Sequence, residues 1–183
     1  MSLGAGRHWA MSGPPFTVDS SLGPAQVAER IVQFFEFLAS RPDRAVLAQS
    51  MAMKSLGIAG SDPVLKAGAE IAQKLDAGIG SGVAHGYHNT KHFIETMLCA
   101  LYLCQATGLS QSRSCRIVTA ALAHDLHHDG TRGSMSPFRL ETASAQHADH
   151  ELKLAGCSDE QRKQIFALIL ATEPRSEEHT SEL

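Results

Sequence analysis

The run Ile117-Val118-Thr119-Ala120-Ala121-Leu122-Ala123-His124-Asp125-Leu126-His127-His128 opens as a small apolar segment and closes on imidazoles grouped around one carboxylate. Helical periodicity stacks His124 over Ala120 and Ile117, on the face expected to be buried. An aspartate beside it rarely goes inside unpaired. A metal ion would satisfy both side chains, so the pair predicts a ligand set at the end of a core helix.

Upstream, Tyr87-His88-Asn89-Thr90-Lys91-His92 supplies a second group of imidazoles. His88 and His92 share one face if a helix begins near His88, and His124 and His128 repeat that spacing. Two such pairs on neighbouring helices bring four imidazoles and Asp125 around one cavity. Nitrogen and carboxylate ligands suit one or two divalent cations, with manganese, magnesium, zinc and iron all open. Asn89 is expected to cap the helix that follows it, and His127 to face away from the cavity. The bland alternative makes His92 and His124 core histidines bonded to carbonyls, and Asp125 a helix-end acid. It requires His88 and His128 to be coincidences.

The wording H-N-x-x-H followed by H-D-x-x-H resembles the HD superfamily of metal-dependent phosphohydrolases, and Tyr87–Phe93 resembles its cyclic-nucleotide phosphodiesterase branch. The resemblance spans roughly residues 85 to 173. It implies an all-α, HD-domain-like helical bundle in which His92, His124 and Asp125 ligate the first metal. It also implies that His88 protonates the leaving oxygen and that His128 helps hold the water shell of a second metal. In this superfamily the helix after the His-Asp pair often serves that second metal, directly or through water, which makes Glu141 the favoured candidate, with His147 and His150 as further candidate ligands of the second metal. A surface helix in the polar stretch Gln146 to Glu151 explains His147 and His150 more cheaply. Asp129 stands where the phosphodiesterases have proline, and Thr131-Arg132-Gly133-Ser134 lacks their asparagine, so a cyclic nucleotide is not specifically indicated.

Composition narrows the rest. The chain has 183 residues, 43% hydrophobic and 5% aromatic, enough for one helical core. A net charge of −3 and a pI near 6.3 argue against nucleic acid or an anionic membrane surface as partner. Cys99, Cys104, Cys115 and Cys157 form no C-x-x-C pair and read as buried thiols of a reducing compartment. No apolar run approaches spanning length, so the expected location is the cytoplasm. Oligomeric state is not legible.

Taken in order, residues 1–24 read as a disordered leader rich in Gly, Ser and Pro, and residues 25–174 as the helical domain. Helices are expected from Pro24 to near Arg41, over about Asp43 to Leu56, and from a cap at Ser61-Asp62 followed by Pro63 to about Asp76. Further helices are expected from the His92 motif to Gly108, from a Ser110 cap to the His-Asp pair, and from Ser136-Pro137 to Ala155. A last one starts with the capping box Ser158-Asp159-Glu160-Gln161. Met51 and Met53 read as core filler, His85 as a solvated loop residue, and Asp129 to Met135 as a loop where a lid would be useful. Ile169-Leu170-Ala171-Thr172-Glu173-Pro174 resembles the superfamily helix that leads to a final metal-binding aspartate, which the sequence lacks. Residues 175–183 read as a translated sequencing-library adapter, so the domain is expected to be an incomplete fragment that may not be active by itself.

These readings predict a hydrolase that cleaves a small-molecule phosphodiester or phosphomonoester, nucleotides included, with metal-activated water. Two alternatives stand beside it. One is an HD-type di-iron oxygenase, which would draw on His147 and His150; the other is a non-catalytic HD-like module for sensing or assembly.

Overall fold

The computed structural model describes residues 22–79, 89–127 and 138–173, and among them it holds seven helices and no strand. They are α1 (Pro24–Leu38), α2 (Arg44–Ser55), α3 (Pro63–Asp76), α4 (Thr90–Ala106), α5 (Gln111–Ala123), α6 (Arg139–Leu154) and α7 (Asp159–Leu170). The expected all-α architecture is therefore present, and no described helix is long and apolar enough to cross a membrane.

Helix α5 lies at the centre, packed against α3, α4, α6 and α7, while α1 leans on α4 and α2 pairs with α3. Its Val118, Leu122 and Ala123 are fully buried, and one continuous core joins them to Phe93, Ile94, Met97, Leu98 and Leu101 of α4. Met53 belongs to the same core, as expected, with the Cys115 thiol 3.7 Å from its sulfur. Burial pushes that thiol up to about 12, so it stays protonated and inert. Cys104 and Cys157 are also buried, but Cys99 is exposed on α4, contrary to the expectation that all four thiols lie inside. It falls on the helix face turned away from Leu98 and Leu101.

Polar side chains fix the helix ends. Asp62 accepts hydrogen bonds from the Val64 and Leu65 N–H groups, and the Ser158 and Gln161 side chains exchange the two bonds of a capping box. Ser110 occupies the N-cap of α5, but its hydroxyl makes no cap bond. At α2 the local Asp43 makes none either. Asp76 from the end of α3 takes over, accepting the Ala45 and Val46 N–H groups at 2.9 and 3.0 Å. Burial is the larger influence on this carboxyl and raises it above the usual carboxylate range against those bonds. Gly68 lets α2 approach α3 closely: a Cβ there would lie 2.8 Å from the Gln49 side-chain nitrogen.

Two boundaries differ from the expected ones. Helix α1 stops at Leu38 because the Ala39 N–H turns back to Glu36 O and the Arg41 N–H to Leu38 O, tightening the chain before Pro42. Helix α6 opens at Arg139, not at Ser136-Pro137, because Phe138 at its N-cap adopts φ 61, a left-handed conformation that no helix can run through. Ser136, Pro137, His85, the Asp129 to Met135 loop, residues 1–21 and residues 174–183 lie outside the described residues.

Replacing the fully buried Leu122 with Ala leaves a cavity at the centre of the bundle and should cost about 2–5 kcal/mol, read as a lower urea midpoint at unchanged slope. A pH effect follows from Arg162, whose guanidinium grips Asp149 with two bonds of 2.8 Å and ties α7 to α6. That pairing holds the Asp149 carboxyl below its ordinary 3.8, so the folded chain binds this proton more weakly than the unfolded one. The stabilisation is present above the unfolded value and is lost as pH falls through the lower, folded one. Asp149→Asn should remove this part of the acid limb, and denaturant midpoints that fall with acid as steeply as in the parent would contradict it.

Candidate metal centre

Helix α4 begins where Asn89, extended at φ −100 and ψ 169, caps the Lys91 and His92 N–H groups at 2.9 and 3.2 Å. The Thr90 hydroxyl donates to Leu75 O, anchoring this start to the end of α3. His92 is thereby fixed in the first turn, with the buried Phe93 ring beside it. Asn89 is the cap, so α4 itself starts at Thr90. His88 itself lies outside the described residues, as does His128.

At the other partner, α5 ends at Ala123 and His124 is its C-cap, still in right-handed helical conformation. The His124 Nδ1 lies 2.9 Å from Ala121 O. A carbonyl can only accept, so Nδ1 carries the proton, and the neutral ring presents an Nε2 lone pair. The Leu126 side chain returns to the core, and Ser144 of α6 donates to Leu126 O at 2.9 Å, pinning the turn. His127 has φ 61, so the right-handed helical conformation of His124 does not extend through it.

These supports bring His92 Nε2, His124 Nε2 and Asp125 Oδ2 together. The two imidazole nitrogens are 3.2 Å apart, and the carboxylate oxygen is 3.2 Å from His92 and 2.9 Å from His124. Among the described residues this is the group of three whose ligand atoms all lie within 4.8 Å of one another. An ion about 2.1 Å from each donor, with angles between octahedral and tetrahedral, separates donors by roughly 3.0–3.4 Å, so the observed triangle fits. Side-chain exposures of 17%, 11% and 16% for His92, His124 and Asp125 leave the three groups partly buried. The positive end of α4 and the negative end of α5 oppose each other here, so the Asp125 carboxylate sets the sign of the site.

Glu141, His147 and His150 are not in this group. Glu141 is half-buried in the first turn of α6, and His147 and His150 are exposed along it. His127 points out of the turn, as expected, but its ring stacks on His147 with centroids 3.9 Å apart. Partial burial first, then His147 and the Lys74 ammonium, hold the His127 imidazole below its ordinary value. Two supports of the centre carried no signal in the sequence as ligand partners: Ser144, and the Leu126 plug it holds. No protein-family model, curated protein or solved structure matches this chain.

If the triangle holds a cation, Asp125→Ala should reduce bound manganese or zinc from near one equivalent to background, measured by metal analysis after gel filtration. The circular-dichroism spectrum should be unchanged. Metal content equal to the parent's would leave His92, His124 and Asp125 as a purely hydrogen-bonded cluster.

Proposed function

We propose that the chain is a metal-dependent phosphohydrolase acting on a small-molecule phosphodiester or phosphomonoester. The observation that supports this reading is the partly buried triangle of two imidazoles and one carboxylate, held between separate helices at hydrogen-bond distances. A bound divalent cation would supply Lewis acidity toward a phosphoryl oxygen and lower the pKa of a coordinated water.

The chain's own residues define what surrounds that chemistry. His124 is locked in one tautomer by Ala121 O, so its lone pair stays aimed at the triangle. Asp125 brings the negative charge that a cation would offset, and His92 is held by the Asn89 cap. Phe93 lies edge-on to the His124 ring at 5.9 Å and excludes water from that side. His88, matched to the general acid by the sequence resemblance, would protonate the leaving alkoxide near neutral pH.

Hydrolysis of p-nitrophenyl phosphate and bis-p-nitrophenyl phosphate should depend on added manganese or zinc and cease with Asp125→Ala. His88→Gln should lower kcat on an alkyl phosphodiester by about 10²–10⁴-fold with metal content intact, and far less on bis-p-nitrophenyl phosphate, whose nitrophenolate leaves without a proton. Activity without metal, or a His88→Gln variant as fast as the parent on the alkyl phosphodiester, would reject these assignments.

A further inference from the structure

We propose that Lys74, His127 and His147 form an anion pocket beside the metal centre, shaped for a phosphate oxyanion of the substrate. This deepens the phosphohydrolase reading and rests on it for placing the anion next to the reacting group.

Three observations converge on the pocket. His127 belongs to the same four-residue turn as Asp125, so its side chain and the metal triangle share one support. Its backbone is held at φ 61, a conformation that is unfavourable for a non-glycine residue and persists where surrounding structure enforces it. Here the enforcing contacts are Ser144 on Leu126 O and the His147 ring stacked on His127.

Helix α6 then carries Glu151 one turn beyond His147, and Glu151 pairs with Lys74 of α3. The Glu151 side chain is 9% exposed and that of Lys74 43%, so the carboxylate anchors from below while the ammonium faces solvent. An ammonium has three N–H donors, and Glu151 engages one. Each neighbouring imidazole offers an N–H in its neutral form. The group thus presents donors and a fixed positive charge at one edge of a site whose centre would hold a cation. Lys74 also opposes a second metal ion at the two stacked histidines, which favours an anion as the occupant.

The test titrates the full chain, metal-loaded and metal-free, with inorganic phosphate by calorimetry, and measures bound metal in every sample. His147→Phe keeps an aromatic ring over His127 and removes the N–H donor; phosphate binding should weaken about tenfold at unchanged metal stoichiometry. Lys74→Met combined with Glu151→Met removes the ion pair as a unit and should weaken it by a similar factor. No phosphate binding by the parent, or an unchanged constant in either folded variant, overturns the pocket. Loss of one metal equivalent in His147→Phe overturns it too, by assigning the histidines to a cation. A parent that binds no metal defeats the hydrolase reading instead, and the metal-free titration then decides the pocket separately.

Discussion

The junction between the start of α4 and the end of α5 is the constraint on which the rest depends. Two imidazole nitrogens and a carboxylate oxygen within 3.2 Å of one another repel unless protons or a cation lie among them. The bundle holds them there through contacts that are individually ordinary. Phe93, Ile94 and Met97 pack α4 onto Val118 and Leu122 of α5, Thr90 ties α4 to α3, and Ser144 ties the turn after α5 to α6. Removing any one would loosen the triangle before it unfolded the chain.

The helical frame was legible because its signals are local. Asp62 before Pro63, Ser158 three residues before Gln161, and Asn89 before an apolar period each declare a helix start through one side chain and a few backbone N–H groups. The core face of α5 followed from unbroken apolar residues. The choice of His92, His124 and Asp125 came from the resemblance of the two motifs to the HD superfamily, while the residues alone asked only that an aspartate at the end of a buried segment have a partner.

What could not be read depends on left-handed residues and on distant contacts. Phe138 and His127 both have φ 61, and each marks a left-handed break beside a helix, before Arg139 in one case and after His124 in the other. Neither residue is glycine, so nothing local announces the turn. The Asp76 cap on α2 reaches across 31 positions, and a carboxylate that distant has no sequence signature as a cap. Cys99 shows the limit of composition, since its burial depends on which face of α4 meets α5.

The two sides of the centre carry opposite electrostatic demands, and one helix serves both. Ser144, His147 and Glu151 lie three and four positions apart, along one stripe of α6. The first braces the turn that bears Asp125, the second stacks on His127, and the third holds Lys74. A shift of α6 along its axis would therefore move the carboxylate that attracts a cation and the ammonium that attracts an anion together. The buried Ala145, Ala148 and Leu152 on the same helix fasten the stripe to the core that also positions His124.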